Sequence, residues 1–370
     1  VTSWNDTQIF AATDREDDPF IIINYARGGY DGDLLYIKDL LTENMPLNLL
    51  DVRVDEENHY IPGLIVIYPD YLIDISALAA CFRGYGHHPL NFFINKIKPK
   101  ANTAPILMGN LASQFLDDYI NERGDEPVTY SHTVKKFFAG AALEFCTCDL
   151  PANFHALAQS QMINIRSFVH DILPHNIRSF DKQKTLLEAS FICERLGLQG
   201  RVDMLQKDFK VLIEQKSGKR DEYNRKHKED HFIQMMLYQG ILMYNFGHET
   251  EDLQTFLLYS KYTDGLLIEH FAEGLFRESI RLRNCIVANE MAFGEGAIVP
   301  VCEQLTTDLL NEFQVDNKLW NDYQEPELER VIKTLKVCTP LERAYFRRFF
   351  TFVSKEQILS KMGGRTDPAS

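Results

Sequence analysis

Positive charge is in short supply in this 370-residue chain: 39 Lys and Arg stand against 53 Asp and Glu, a formal charge of −14. A chain-wide positive field for gripping nucleic acid is thereby excluded. Any such contact must rest on local basic patches or on a bound cation that offsets carboxylates. Cysteine is sparse and odd in number, seven in all. No spacing reads as a disulfide framework, so a reducing, cytoplasmic compartment is expected. Long apolar runs are missing: none reaches the roughly 18 residues of a membrane span, so no membrane partner is expected. Val1-Thr2-Ser3-Trp4 offers neither the basic nor the apolar stretch of a signal peptide. With 20 Gly, 14 Pro and 45% hydrophobic residues, the chain is not collagen-like, low-complexity or wholly disordered. A start at Val and an end in Gly-Gly-Arg-Thr-Asp-Pro-Ala-Ser read as a piece of a longer polypeptide.

At roughly 150 residues per domain, the length points to two or three domains, or one large domain with an appendage. Residues 1–75 read as a β-rich extension, with β-branched and aromatic runs at Phe20–Asn24 and Leu64–Tyr68. From Ile75 the period turns helical, at Ser76–Cys81 and Pro105–Asn121. Pro151–Leu173 reads as one long helix that Pro174 ends. Leu186–Lys216 has strand character with two reversals. His231–Phe246 follows as a helix, Thr255–Tyr262 as a strand and Glu273–Ala292 as a helix. After Pro300 the chain is helical and charged, ending in the amphipathic stretch Leu341–Met362. This mixed order predicts an α/β core with a central mixed sheet flanked by helices, spanning 76–300, with 301–370 as a helical tail.

Chemistry concentrates in one reversal. Gly197-Leu198-Gln199-Gly200-Arg201-Val202-Asp203-Met204-Leu205 is followed by Lys210-Val211-Leu212-Ile213-Glu214-Gln215-Lys216, with a polar turn between. A reversal centred between Asp208 and Phe209 sets Asp203 opposite Glu214, with Cβ atoms about 4.5–5.5 Å apart. Alternation adds Lys216 to that face and sends Gln215 to the other. Two carboxylates this close repel unless a proton or cation intervenes, and oxygen ligands suit Mg²⁺ or Mn²⁺. A lysine beside them can orient or help deprotonate an attacking water, or stabilise charge building on a phosphate. Taken alone, Asp-x10-Glu-x-Lys is equally the spacing of a surface salt bridge. Its company argues otherwise: glycines before Asp203, a stop at Ser217-Gly218-Lys219, and His231, Gln234 and Tyr238 on one face of an otherwise apolar helix.

Gly197-Leu198-Gln199-Gly200-Arg201-Val202-Asp203, Glu214-Gln215-Lys216-Ser217-Gly218-Lys219 and His231-x2-Gln234-x3-Tyr238 together resemble the motifs of RecB-type PD-(D/E)XK nucleases. Within that superfamily they most resemble the nuclease part of replication helicase–nucleases that trim Okazaki-fragment flaps. Tyr68-Pro69-Asp70-Tyr71-Leu72, Arg283-Asn284 and Leu341–Lys355 extend the likeness. The resemblance implies a restriction-endonuclease-like core and Mg²⁺- or Mn²⁺-dependent hydrolysis of single-stranded or flap DNA, in replication or repair, with a helicase region following in the parent chain. It implies Asp203 and Glu214 as metal ligands with the Gln215 carbonyl, Lys216 as the catalytic lysine, and Gln234 and Tyr238 lining the site. Lys219, Arg220 and His231 would contact DNA, and Glu188 would be an outer acid. Where many relatives carry a helix histidine, this chain has Ser113. Cys81 stands where relatives begin a cysteine set, but Cys285, Cys302 and Cys338 are far apart, so no iron–sulfur cluster is expected. An inactive DNA- or partner-binding module of the same fold is the alternative, and a CRISPR-associated nuclease a third.

Other signals are weaker. Ser217-Gly218-Lys219-Arg220 lacks the earlier Gly and the following Ser/Thr of a phosphate loop. Residues 216–228 hold six Lys or Arg plus His227, read either as a solvated loop or as a DNA-backbone contact. Arg277, Arg281 and Arg283 could track a strand or form a solvated face. His87-His88, His170 with His175, and Cys146-x-Cys148 lack partners in sequence.

Overall fold

The computed structural model describes residues 1–13, 19–123, 127–177 and 180–363. The last residues of the expected tail, 364–370, lie outside the described residues. The architecture is mixed α/β, with three sheets among the described residues and helices throughout. Among the described residues no helix is long and apolar enough to cross a membrane.

The chain gathers into two compact units whose limits do not coincide with the expected boundaries at 75 and 300. One holds 1–98, 192–199 and 273–370; the other holds 99–191 and 200–272. Long-range polar ties explain why the early strands belong with the late helices. In the first unit, Asn284 on the helix Glu273–Gly294 receives the Ile67 N–H at 3.2 Å and donates to the Ile65 carbonyl at 2.7 Å. Its neighbour Arg283 is fully buried and donates to the carbonyls of Ile67, Tyr68, Tyr71 and Gly197. That arginine holds a strand–loop junction together and tracks no nucleic acid strand. Gly197 makes the approach possible. Its φ is +63°, and a Cβ there would sit 2.3 Å from the Arg283 guanidinium. The unit also carries a five-stranded sheet, in the order Ser3–Trp4, Gln8–Ala12, Phe20–Asn24, Tyr60–Ile61, Arg53–Val54, and the pair Leu47–Leu50 with Leu64–Ile67. The terminal helix Pro340–Met362 opens with a capping box formed by Thr339 and Glu342.

In the second unit the strands run in the order Leu266–Glu269, Gln254–Tyr259, Val211–Lys216, Leu198–Gln206, the last also pairing with Thr185–Cys193; residues 192–199 belong to the first unit, where Leu198 and Gln199 pair in parallel with the strand Ile73–Asp74. Val211 and Ile213 turn one way, into a core with Met204, Phe256 and Leu258 and with Leu107, Leu111 and Phe115 of the helix Ala104–Asn121. Phe154, Ala158 and Ile165 of the helix Phe154–Ser167 complete it. Each such aliphatic or aromatic side chain, fully buried, stabilises by about 1.5–3 kcal/mol, so strand alternation is strongly enforced here. The long helix expected over Pro151–Leu173 instead starts at Phe154 and continues past Pro174. A π-helical turn at Phe168–Ile172 hands over to Leu173–Asn176, where Pro174 occupies an early position, so its missing N–H breaks nothing.

Candidate active site

The site grows out of the hairpin Leu198–Gln206 / Val211–Lys216 of the second unit. Met204 pairs with Ile213 and Leu205 with Leu212, the register anticipated from the sequence. One step further along this ladder Asp203 faces Glu214. The reversal is made by Lys207–Phe209, with Phe209 at φ +58° and its N–H on the Gln206 carbonyl at 2.9 Å. Asp203 is fixed by the Gln215 N–H, 2.7 Å from its Oδ2. Glu214 is 2% exposed; its Oε1 accepts from Lys216 Nζ at 2.8 Å and from Gln234 Nε2 at 2.7 Å. Lys216 Nζ also donates to Gln234 Oε1 at 2.8 Å, closing a triangle. The other oxygen of Glu214, Oε2, is buried and has no hydrogen-bond partner among the described residues.

Gln234 reaches this triangle from the helix Glu229–Phe246. Glu229 and Asp230 in its first turn suit the positive helix end, and Gly247 at φ +70° closes it. The helix is apolar over most of its surface, so Gln234, Tyr238 and His231 are conspicuous. Tyr238 follows Gln234 by one turn, yet it is buried. Its hydroxyl donates to the Arg201 carbonyl at 2.7 Å and accepts the Arg201 N–H at 3.2 Å. It therefore clamps the Asp203 strand while also hydrogen-bonding Gln234, beside Glu214 and Asp203. His231 lines the cavity with its Nδ1 2.8 Å from the Tyr259 hydroxyl. Burial pulls its pKa down to about 4, so the ring is neutral at neutral pH and is not a phosphate-binding cation.

The electrostatics follow from burying two carboxylates and one ammonium together. Burial, and then Glu214, hold the Asp203 carboxyl well above the usual range. Burial pulls the Lys216 ammonium down, but Glu214 and Asp203 outweigh it and keep its pKa raised. In the cation-free protein Lys216 is therefore held in its charged form. A cavity of about 320 Å³ opens over these groups, lined also by Gly109 and Ser113 of the helix Ala104–Asn121 and by Lys228. Ser113, at the position where the resembled family often has a helix histidine, is one of the residues lining this cavity.

Other residues singled out from sequence lie further off. Gln215 points its side chain to the opposite face, with Nε2 3.4 Å from Ser260 Oγ; only its backbone serves the site face. Arg220 departs from its expected DNA contact. It is buried, its guanidinium forks onto the Asp264 carboxylate at 3.0 and 2.9 Å, and it lies over the Tyr262 ring. Its Nη1 also donates to the Asp264 carbonyl at 2.9 Å, so three hydrogen bonds and burial commit the group to Asp264. Lys219 stays at the surface, 3.3 Å from Glu222. Glu188 pairs with Arg201 at 2.6 Å and adds to the field on Asp203. Lys228, the end of the basic run 216–228 noted in the sequence, lies at the cavity wall; the sequence reading missed Asp117, whose carboxyl burial, Glu188 and Asp118 push up to about 6. A 3.6-residue step from Ser113 would have flagged Asp117 on the same helix face.

The donor set tests what the site could hold. Asp203 and the unsatisfied Glu214 Oε2 are hard oxygen donors with an unmet need for positive charge, which fits a divalent cation such as Mg²⁺ or Mn²⁺. Among the described residues no group of three or more His, Cys, Asp or Glu side chains is placed to share a metal. Two carboxylates, a backbone carbonyl and water are what this site offers.

Comparison with known proteins adds little to this geometry. No family model matches the chain, and no curated protein does. A solved structure named "Putative exonuclease", from Eubacterium rectale, aligns over 64% of this chain and 87% of its own at 15% identity and a TM-score of 0.34.

Proposed function

We propose that this chain is a metal-dependent deoxyribonuclease of the RecB-like PD-(D/E)XK type, hydrolysing phosphodiester bonds in single-stranded or flap DNA. The observation that carries the reading is Glu214 Oε2, a buried carboxylate oxygen without a partner beside a second buried carboxylate. Asp203 and Glu214, with the Gln215 carbonyl, would hold Mg²⁺ or Mn²⁺. Such an ion supplies Lewis acidity to the phosphodiester and to its attacking water. Lys216, charged at neutral pH, stabilises negative charge developing on the phosphate. Gln234 fixes both Lys216 and Glu214 through its two amide ends, and Tyr238 anchors the strand that carries Asp203. Lys228 at the cavity wall and the exposed Lys219 would contact the DNA backbone. The preference for single strands or flaps, a role in replication or repair, the cytoplasmic setting and a helicase region in the parent chain rest on the motif resemblance alone.

Labelled single-stranded and flap DNA, incubated with Mg²⁺ or Mn²⁺, test the reading. Wild type should cleave. Asp203→Ala and Lys216→Ala should lose roughly 100-fold or more in rate, the size of effect expected when one electrostatic partner is removed. Equal cleavage by all three would reject the site. That no third side-chain ligand clusters there among the described residues favours a second reading, a non-catalytic DNA-binding module. Tight binding without cleavage by any of the three would support it.

A further inference from the structure

Lys216 is the last residue of its strand, and the chain leaves at once through Ser217 and Gly218. A side chain at a strand end is ordinarily poorly fixed, yet this one must hold two hydrogen bonds at 2.8 Å. The back of that strand end carries a buried polar set that the site chemistry does not use. Ser260 is fully buried just beyond the neighbouring strand Gln254–Tyr259, and its N–H donates to the Lys216 carbonyl at 3.0 Å. The Ser260 hydroxyl donates to Gln161 Oε1, and Gln161 Nε2 donates to the Ser217 carbonyl at 2.8 Å. Asn164, one helical turn from Gln161, donates to the Ser260 carbonyl at 2.9 Å. Gln161 and Asn164 are 5% and 6% exposed, on the buried face of the helix Phe154–Ser167.

Two consecutive carbonyls, those of Lys216 and Ser217, are thus held from behind by groups tied to one another. Polar groups placed in an apolar helix face cost stability unless fully bonded. A core in need of packing alone would place Leu or Met there. We propose that Gln161, through Ser260, is a positioning residue for Lys216: it fixes the end of the strand so that the ammonium stays between Glu214 and Gln234. What this achieves catalytically rests on the nuclease reading above; the placement itself does not.

Gln161→Met keeps the length and removes both hydrogen bonds, and Ser260→Ala deletes a single oxygen in case the first variant fails to fold. Each is checked by thermal melting and then labelled with an amine-acetylating reagent, the extent at Lys216 being read by peptide mass spectrometry against the exposed Lys219. The proposal expects acetylation at Lys216 to rise several-fold in a cooperatively melting variant, with Lys219 unchanged. Protection of Lys216 equal to wild type in a folded variant overturns it, and so does a uniform rise at every lysine. In the cleavage assay the same variants should lose roughly 10- to 100-fold in kcat, the scale of a misplacement of about 1 Å, with KM within about twofold. An unchanged kcat overturns the proposal. If wild type does not cleave at all, the nuclease reading fails while the labelling result still decides the positioning of Lys216.

Discussion

Asp203→Asn should make this protein more stable and inactive at once. Continuing the hairpin register from Met204–Ile213 sets Asp203 opposite Glu214, with Cβ atoms roughly 5 Å apart. At a carboxylate separation of that order and an effective dielectric of about 20, the two charges repel by about 3 kcal/mol. Lys216 cancels part of this, but burial and Glu214 together still dominate and keep the Asp203 carboxyl well above its ordinary range. The Asn side chain keeps the shape, and its oxygen can still accept the Gln215 N–H now made to Asp203 Oδ2. The substitution should therefore stabilise the cation-free protein by about 1–3 kcal/mol at pH 7.5. The sign with pH follows from the raised carboxyl. Folded Asp203 keeps its proton to higher pH than the unfolded chain does, so wild-type stability falls as pH rises through that interval. The advantage of Asn should accordingly shrink as pH falls and vanish below the unfolded carboxyl range near 4. Urea unfolding at pH 7.5 and pH 3.5 in the presence of a chelator measures it. Adding Mn²⁺ should raise the wild-type midpoint and leave the variant's nearly unmoved. An Asn variant less stable than wild type at pH 7.5, or one still stabilised by Mn²⁺ to the wild-type extent, would refute the reasoning.

Two other perturbations separate structural from functional charge. Asp117→Asn should stabilise by roughly 1 kcal/mol at pH 8, solvent screening cutting down the full linkage value for this half-buried group: the folded carboxyl holds its proton up to about pH 6 while the unfolded one releases it near 4, and the gain should disappear below about pH 4 in chemical denaturation. Arg220→Ala should lose about 2 kcal/mol of stability with its charged hydrogen bonds to Asp264. In fluorescence anisotropy it should leave the salt dependence of DNA binding unchanged, whereas a slope reduced by about one unit would mark a phosphate contact.

The hairpin register was legible because its determinants are local. A polar turn and strict alternation fix which residues oppose, and one slipped position would bury Asp208-side polar residues and expose Ile213. The Gln234 helix was legible for the same reason, through its polar stripe. What the sequence left hidden depends on partners far along the chain. Arg220 looks free until Asp264, 44 residues on, claims it. Tyr238 shares the Gln234 face, but its hydroxyl is taken by the backbone of Arg201. Pro174 reads as a terminator, and only the wider π-helical turn before it lets the helix continue. The unit boundaries depend on Arg283 and Asn284 reaching back over two hundred residues to Ile65, Ile67 and Tyr68. No window of sequence contains both ends of those ties.

The central claim is that the Asp203–Glu214 pair holds a divalent cation. A crystal grown with Mn²⁺ and measured near the manganese edge tests it most directly. An anomalous peak is expected within ligand distance of an Asp203 oxygen and of Glu214 Oε2, absent in crystals of Glu214→Gln. Well-ordered carboxylates with no peak between them in the wild-type crystal would contradict it.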